Sequence, residues 1–439
     1  MIKDVVYKDL IQFKSKKIIL ALSGGLDSVV LLDILNSLNI DLDIHLIHIN
    51  YNQHRNSNKA FFLCKKLASI YKNKFISYKA NVGKRNFESK ARNFRYSKMK
   101  KYGKLNNINL ILTAHHLDDQ IETIFMQQML NSDWISKIGI RKINENILRP
   151  LLSVHKDEIR KYAVLRKLTW VEDSTNNNVK FFRNKVRHEL LPFYSNKHYN
   201  LKDELLMIAD KSLDKFNHLI KSIYFDFNSS LFITKNFIQI DNRIIDKYSI
   251  IEMKLFYQIL IKNNFNQNIR KSKSFWNELY NFLLNANSGS FFYLNNQIII
   301  SKDRCKHFLY EKKYLENIKL QAKSRKLKIN KFPFLWNEYI IKKLNNIELS
   351  NSTFAIPLDI YKKGLFVRHW RKGDVCYSEF YKKNIKLKKI FINNKVSLID
   401  KYNLPIITDS NNNIICVPNL YSRYESKGNF VRFSYERNQ

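Results

Sequence analysis

The fold of this chain is decided by residues 18–30, which read IILALSGGLDSVV. An apolar run typical of a buried strand leads into a Gly-rich turn, and an apolar-periodic segment that predicts a helix follows from Val29 to Leu38. The turn holds two glycines, two serines and one carboxylate, Asp27. Such a turn between a strand and a helix predicts an α/β fold with an anion site at the helix N-terminus.

The first 190 residues repeat this order of strand and helix. Alternation of this kind predicts a doubly wound parallel sheet whose ligands bind beyond the carboxyl ends of the strands. The predicted strands are Ile18–Leu22, Ile44–Ile49, Lys74–Tyr78 and Asn109–Leu112, and the predicted helices are Val29–Leu38, Lys59–Tyr71, Ser89–Tyr102 and Asp118–Leu130.

A length of 439 residues exceeds one ordinary core, and we predict three domains. Residues 1–200 form the α/β domain, residues 201–330 a mainly helical middle domain, and residues 349–437 a small α+β C-terminal domain. The Lys-rich stretch 312–331 suits a linker or a solvated helix face.

The formal net charge of +38 favours a polyanionic partner, nucleic acid first, although codon bias in an AT-rich genome would also enrich Lys and Asn. No apolar run reaches the length of about 18 residues that a membrane helix needs. The four cysteines form no C-x-x-C pair, which predicts reduced, buried thiols and no metal cluster. We therefore expect a soluble cytoplasmic protein without a membrane partner.

The turn is the strongest functional motif, and we assign all six of its residues to nucleotide binding: Ser23, Gly24, Gly25, Leu26, Asp27 and Ser28. Paired glycines let the backbone approach an anion, and hydroxyl and N–H groups donate to phosphate oxygens. A carboxylate in a phosphate cradle is explained if Asp27 holds Mg²⁺ beside a leaving pyrophosphate, which makes it a candidate catalytic residue. The structural alternative is an ordinary glycine turn with a serine cap.

A second motif, TAHHLDDQIET, occupies residues 113–123. On a helix, Asp119 and Glu122 share a face, where they could bind a metal ion or an ammonium group. The alternative is helix capping, with Asp118 or Asp119 as the cap and Glu122 completing a capping box. Zinc is disfavoured because adjacent histidines lack the i, i+4 geometry.

The turn resembles the pyrophosphate loop (PP-loop) of the N-type ATP pyrophosphatases, which share the adenine nucleotide alpha hydrolase-like fold, and it lacks the Gly-Lys-Ser/Thr ending of a Walker loop. Together with residues 113–123 it is similar to the tRNA(Ile)-lysidine synthetases. The similarity continues at ESKARNFRY (88–96), LRPLL (148–152), EDSTN (172–176), and Arg183-Asn184 with Arg187. One departure is Tyr51, where the family's H-x-x-H motif would place a second histidine after His48.

The C-terminal region resembles that family's tRNA-contacting domain, as in VRHWRKGD (367–374) and KLKKIF (386–391). Cations with interleaved aromatics, Trp370 and Phe391, suit RNA phosphates and stacking, and a small structural domain is the alternative. The cations assigned to tRNA here are Arg368, Arg371, Lys372, Lys386, Lys388 and Lys389.

The resemblance implies that ATP and Mg²⁺ serve a ligation on an isoleucine tRNA with a CAU anticodon. The ring carbonyl oxygen of the wobble cytidine attacks ATP, pyrophosphate leaves, and the side-chain amine of free L-lysine displaces AMP to give lysidine, which changes the specificity from methionine to isoleucine. Asp119 and Glu122 would bind a metal ion or the lysine ammonium, as catalytic residues with Asp27. Arg92, Arg95, Arg183 and Arg187 would contact the tRNA.

Other functions stay open at this point: a PP-loop tRNA thiolase, a synthetase of NAD or GMP, and an RNA-binding protein with an inactive loop. Thiolases depend on cysteine pairs or a catalytic cysteine, and the small-molecule synthetases leave the basic C-terminal region unexplained. We expect no DNA partner, and the sequence leaves the oligomeric state open, a dimer included.

Overall fold

The computed structural model describes residues 2–13, 15–51, 55–81, 83, 87–172, 182–324, 326–344, 352–378, 382–424 and 429–437. The chain divides into two compact units, Met1–His218 and Leu219–Gln439. The division falls within one long helix, Leu201–Ser229. The domain limits at residues 200, 330 and 349 stay a prediction.

The first unit alternates helices and strands. Its helices are α1 Ile2–Ile11, α2 Leu26–Ser37, α3 Arg55–Ile70, α4 Phe87–Asn106, α5 Leu117–Met129, α6 Lys156–Leu165, α7 Phe182–Lys185, α8 Leu191–Lys197 and the first part of α9 Leu201–Ser229, with a 3-10 turn at Ser136–Ile138 and a π-helical turn at Val186–Leu190. Its strands are β1 Lys17–Ala21, β2 Asp43–Asn50, β3 Lys74–Lys79, β4 Leu110–Leu112, β5 Ile143–Asn144 and β6 Ile147–Leu148.

These strands form one sheet in the order β3-β2-β1-β4-β6-β5. All pairs are parallel except β5 with β6. In β1, Ile18 and Leu20 pack into one apolar cluster with α2, while Ile19 packs into another with Met99 of α4. Helices therefore cover both faces, which explains the continuous apolar run of β1 and confirms the doubly wound α/β domain.

The second unit holds the remaining helices and strands. Its helices are α10 Arg243–Lys247, α11 Ile250–Phe265, α12 Lys273–Asn285, α13 Lys312–Ser324, α14 Leu358–Lys363, α15 Leu387–Asn393 and α16 Leu398–Asn403. Its strands are β7 Leu231–Ile233, β8 Phe237–Asp241, β9 Phe291–Tyr293, β10 Ile298–Lys302, β11 Lys306–Glu311, β12 Lys326–Lys328, β13 Phe334–Trp336, β14 Tyr339–Leu344, β15 Thr353–Pro357, β16 Phe366–Arg368, β17 Val375–Ser378, β18 Lys383–Lys386, β19 Ile406–Thr408, β20 Ile414–Val417, β21 Tyr421–Ser422 and β22 Phe430–Arg437.

Long helices dominate the middle region, as predicted, but a sheet in the order β7-β8-β11-β10-β9 accompanies them. Its strands lie in Phe- and Ile-rich stretches whose periodicity does not distinguish strand from helix. The first part of the Lys-rich stretch 312–331 is helix α13, with Leu315 and Ile318 buried, and strand β12 lies in its second part. The lysines of α13 therefore form a solvated helix face, and the linker interpretation is wrong for this part. Strands β12 to β22 with helices α14 to α16 confirm the α+β C-terminal region.

Three of the cysteines are buried, Cys64, Cys376 and Cys416. The prediction of a buried thiol is wrong for Cys305, which is exposed in the turn between β10 and β11. Within the described ranges, no helix combines the length and apolarity that crossing a membrane requires.

A buried carboxylate ties the helix after the Gly-rich turn to its neighbours. Asp33 of α2 accepts hydrogen bonds from Tyr71 Oη at 2.6 Å and Tyr162 Oη at 2.7 Å, and Arg166 Nε donates to it at 3.1 Å. Burial alone would raise the pKa of Asp33, but these hydrogen bonds outweigh it and lower the pKa. The contact holds α2 against the ends of α3 and α6.

Asp33→Asn should lower the free energy of unfolding at pH 7 by roughly 1–3 kcal/mol, because the two phenols and the guanidinium lose a charged acceptor. Since the folded-state pKa is lowered, this stabilisation is present above the unfolded-state pKa of about 4 and is lost as the pH falls through the folded value. Urea titrations at several pH values measure the difference. Asp41→Asn is the control, since Asp41 is exposed and its ion pair with the exposed Lys16 is long, at 3.9 Å. An equal effect there would contradict the prediction.

Candidate active site

The two predicted motifs follow neighbouring strands. β1 pairs in parallel with β4, from Ile18 opposite Leu110 to Leu20 opposite Leu112, although β2 and β3 come between them in the chain. Both strands therefore end at the same edge of the sheet, where the strand order reverses. The segments 22–28 and 113–119 meet at this edge.

Hydrogen bonds within the Gly-rich turn set its shape. Ser28 Oγ donates to the Gly25 carbonyl oxygen at 3.0 Å and accepts from the Ser23 N–H at 3.2 Å. Gly25 is the N-cap of α2, so the first N–H groups of this helix have no intrahelical acceptor. The turn and the positive helix end together suit phosphate oxygens.

Gly24 has a backbone conformation that favours glycine, with φ of +84°. A Cβ atom there would lie 3.2 Å from Cys64 Sγ and 3.3 Å from the Ala60 carbonyl oxygen, both on α3. From β2, His48 Nδ1 lies 2.9 Å from the Leu22 carbonyl oxygen and donates to it. Helix α3 and strand β2 thus pack against the turn. Position 51, where the family's H-x-x-H motif would place a second histidine, takes no part in this contact of His48 with Leu22.

Asp27 lies in the first turn of α2, and its Oδ1 atom is buried with no hydrogen-bond partner among the described residues. Burial raises the pKa of Asp27, and Asp119 adds to the rise, while His116 and Lys156 oppose it. An unpartnered carboxylate oxygen beside a phosphate cradle fits Mg²⁺, which takes one or two protein carboxylates with substrate phosphates and water. In the described chain, no group of three or more His, Cys, Asp or Glu side chains forms a metal cluster.

The N-cap of α5 is His116, and the interpretation with Asp118 or Asp119 as the cap is wrong. His116 Nδ1 accepts from the Asp119 N–H at 3.4 Å, and Asp119 Oδ2 accepts from the His116 N–H at 3.2 Å. The prediction chose aspartate because it is a common N-cap residue. Here the ring nitrogen of His116 accepts the hydrogen bond from the Asp119 N–H instead. Asp118 Oδ2 accepts from the Lys156 N–H at 2.8 Å, at the start of α6, and lies 3.7 Å from His116 Nδ1.

The acidic pair of α5 binds two arginines. Glu122 receives Arg187 Nε at 2.5 Å and Nη2 at 2.9 Å, and Arg183 Nε at 3.1 Å. Asp119 Oδ1 receives Arg183 Nη2 at 2.9 Å and Arg187 Nη2 at 3.2 Å. Burial alone would raise the pKa of Asp119, but His116 and Arg183 outweigh it and lower the pKa. The sequence motifs predict different ligands for these acids and arginines, and the structure brings all four side chains together.

The other predicted arginines of this unit are on α4. Arg92 is exposed and lies over the ring of Tyr96, 5.1 Å from its centroid, and Arg95 Nε donates to Tyr51 Oη at 3.3 Å. Contacts of both with tRNA stay a prediction. The side chain of Glu88 and residues 173–176 of the EDSTN motif lie outside the described residues.

Arg149 lies in the turn after β6, and no role was predicted for it from the sequence. Its side chain is buried, Nη1 donates to the Arg141 carbonyl oxygen at 2.6 Å, and Nε has no partner in the described part of the chain. Burial lowers the pKa of His115, and Arg149, Arg92 and Arg183 lower it further. An arginine inside the apolar run LRPLL was the available indication of a buried cation.

Comparison with known proteins identifies the family. A PP-loop domain model matches residues 2–194, and a model described as the TilS substrate C-terminal domain matches residues 365–429. A tRNA(Ile)-lysidine synthase of Wigglesworthia glossinidia brevipalpis is 30% identical over 411 residues, which cover 84% of this chain and 97% of that protein. This chain belongs to the tRNA(Ile)-lysidine synthase family.

Two other members of the family match over shorter segments. The protein of Blochmanniella pennsylvanica (strain BPEN) is 34% identical over 194 residues, 40% of this chain and 38% of that protein. The protein of Francisella tularensis subsp. novicida (strain U112) is 32% identical over 226 residues, 50% of this chain and 56% of that protein. The chain spans about half the length, or less, of these two relatives.

The family's C-terminal domain carries the predicted basic residues, and four of them are exposed: Lys372, Lys386, Lys388 and Lys389. Arg371 is half-buried. Arg368 is 1% exposed and binds Asp374 through Nη1 and Nη2 at 2.8 and 2.9 Å. The prediction that Arg368 contacts tRNA is therefore wrong, because its guanidinium is buried and is already bound by the Asp374 carboxylate.

The two aromatic residues of that prediction do not form an exposed platform. Phe391 is fully buried, and Trp370 packs against it with ring centroids 5.9 Å apart. Both belong to an apolar cluster that includes Leu387 and Ile406. Their role is core packing, and contacts of tRNA with Arg371 and the four lysines stay a prediction.

Glu122→Gln should lower the free energy of unfolding by roughly 3 kcal/mol, because it leaves two guanidiniums facing a neutral amide. The effect is at the low end for a buried ion pair, since the Arg183 and Arg187 side chains are 34% and 24% exposed. Glu189→Gln, an exposed position on the same π-helical turn as Arg187, is the matched control. Equal urea midpoints for the two variants would contradict the prediction.

Proposed function

We propose that this chain joins the side-chain amine of free L-lysine to the wobble cytidine of an isoleucine tRNA with a CAU anticodon, using ATP and forming lysidine. The observation that carries the proposal is the buried Oδ1 of Asp27, which has no hydrogen-bond partner among the described residues and lies at a helix N-terminus that adjoins Asp119. A site of this kind takes the phosphates of a nucleotide with its cation. The other two substrates, lysine and the isoleucine tRNA, are proposed because the chain belongs to the tRNA(Ile)-lysidine synthase family.

The reaction needs no nucleophile from the protein. In the first step, the cytidine ring carbonyl oxygen bonds to the α-phosphorus of ATP and the bond to pyrophosphate breaks. In the second step, the side-chain amine of lysine bonds to the ring carbon that carries this oxygen, and AMP leaves with the oxygen. The turn Ser23–Ser28 would bind the phosphates through its N–H and hydroxyl groups. Mg²⁺, when bound at Asp27, would offset negative charge on the pyrophosphate. Catalysis then consists of positioning and charge stabilisation.

Asp119 and Glu122 are proposed to bind the lysine ammonium. An ammonium group there has to share the carboxylates with Arg183 and Arg187, because both guanidiniums already bind them. Lysine entry would therefore loosen at least one guanidinium, which could then contact a phosphate of the tRNA. We place this reaction in the cytoplasm, where tRNA and free lysine occur together.

The thiolase alternative is less well supported. Burial raises the pKa of Cys64, beside the turn, to about 12 and also raises the pKa of Cys376. A thiol with a raised pKa is a poor nucleophile. The exposed Cys305 lies in the second unit, in the turn before β11.

The test is incorporation of labelled L-lysine into an isoleucine tRNA transcript with a CAU anticodon, in the presence of ATP. Label should appear in the tRNA with one pyrophosphate and one AMP released for each lysine joined. A methionine tRNA transcript is the control. Incorporation of sulfur with no incorporation of lysine would instead support a thiolase.

Asp27→Asn should reduce tRNA-dependent pyrophosphate release by about 100-fold or more, since removing the charge that offsets phosphate charge costs several kcal/mol in the transition state. The amide keeps the shape of the side chain, so the urea midpoint should stay within error of the unsubstituted protein. Pyrophosphate release at the full rate would contradict the assignment of the turn.

Replacing Lys372, Lys386, Lys388 and Lys389 together with Gln should weaken tRNA binding and flatten its salt dependence. Each lost phosphate contact lowers the slope of log affinity against log salt by about 0.7–0.9. The charge-matched control replaces Lys65, Lys66, Lys101 and Lys104, four exposed lysines on α3 and α4. If both quadruple variants shift the slope equally, the C-terminal lysines have no special role.

A further inference from the structure

His116 lies between the Gly-rich turn and the acidic end of α5, and its two ring nitrogens face different groups. The residue is 2% exposed. Nδ1 accepts the capping hydrogen bond from the Asp119 N–H at 3.4 Å and lies 3.7 Å from Asp118 Oδ2, which itself accepts from the Lys156 N–H. Nε2 lies 3.5 Å from Asp119 Oδ2 and 3.9 Å from Asp27 Oδ2. One imidazole therefore adjoins a carboxylate from each of the two segments that meet at the sheet edge.

The capping hydrogen bond determines where the ring carries its proton. Because Nδ1 accepts a hydrogen bond from a backbone N–H, its lone pair is used in that bond and Nδ1 carries no proton. The proton of the neutral imidazole is therefore on Nε2. The ring thus presents an N–H to the two carboxylates. Asp27 and Asp119 are partly buried carboxylates, and the charge of Asp119 raises the pKa of Asp27.

We propose that His116 is a positioning residue whose Nε2–H attracts the Asp27 and Asp119 carboxylates electrostatically, at distances of 3.9 and 3.5 Å that are long for direct hydrogen bonds, and so keeps the two carboxylates together. The inference rests on the proposed function and deepens it, because it names what couples the nucleotide turn to the acidic helix. The Arg183 and Arg187 contacts occupy Asp119 Oδ1, while Oδ2 accepts from the His116 backbone N–H at 3.2 Å and lies 3.5 Å from His116 Nε2. Asp27 in turn keeps Oδ1 for the ligand, while Oδ2 faces Nε2.

A simple capping role for His116 is the competing explanation, and two substitutions separate the two. In His116→Asn, the side-chain oxygen can replace Nδ1 as the cap, since Asn is among the best N-cap residues, but no donor reaches Asp27. In His116→Gln, the longer side chain can place an N–H group near the position of Nε2, but it caps poorly. His116→Asn thus keeps the role of Nδ1 and loses that of Nε2, whereas His116→Gln keeps the role of Nε2 and loses that of Nδ1.

The experiment uses the full chain and measures the urea midpoint, the affinity for Mg²⁺-ATP by calorimetry, and kcat and KM for ATP in lysine ligation. His116→Asn should keep its urea midpoint yet lose about 10-fold to 100-fold in Mg²⁺-ATP affinity, the range for lost partners of a metal-binding group. Its KM for ATP should rise by the same factor. His116→Gln should have a lower urea midpoint but bind Mg²⁺-ATP more tightly than His116→Asn.

Mg²⁺-ATP affinity in His116→Asn equal to that of the unsubstituted protein would overturn the inference and reduce His116 to a cap. Equal losses of affinity in the two variants, both folded, would also overturn it. These outcomes are separate from the proposed function, because binding of Mg²⁺-ATP requires neither tRNA nor lysine. An unsubstituted chain that binds Mg²⁺-ATP but joins no lysine would contradict the function and leave this test intact.

Discussion

The parallel pairing of β1 with β4 is the constraint on which the rest of the active site depends. The chain passes from β1 to β2 and β3 on one side and then crosses to place β4 on the other side of β1. β1 is apolar enough to be buried on both faces, so it can be central. The reversal of strand order opens a crevice at the carboxyl ends of β1 and β4, and the chain supplies a phosphate-binding turn after one strand and an acidic helix after the other.

Charge compensation then organises that crevice. Asp119 and Glu122 are largely buried, and two arginines from α7 and the π-helical turn satisfy them, because buried carboxylates without partners would be costly. Asp27 differs from this pair, since His116, Lys156 and Arg187 act on it only through their charge, and among the described residues its Oδ1 has no hydrogen-bond partner. The site therefore offers a free carboxylate oxygen beside N–H groups that attract anions, which is the arrangement that a nucleotide and its cation require.

Much of the fold was predictable because its determinants are local. The predicted strands of the first unit end within one or two residues of β1 to β4, since apolar runs and turn residues mark them directly. The site was predictable only in its parts. Arg183 pairs with Asp119 across 64 residues, and no periodicity indicates such a pairing. Likewise, nothing in VRHWRKGD shows that Arg368 turns inward to Asp374 while Lys372 stays exposed, because both positions are equally consistent with a basic surface.

The central claim is that the turn after β1 and the first turn of α5 form one site, and a double-mutant cycle on Mg²⁺-ATP affinity tests it most directly. Asp27→Asn and Asp119→Asn should be non-additive by about 0.5–3 kcal/mol, as expected for residues that share a partner. Asp27→Asn combined with Asp41→Asn should be additive, since Asp41 precedes β2 at the opposite edge of the sheet. Additivity of the Asp27 and Asp119 substitutions within about 0.3 kcal/mol would contradict the account.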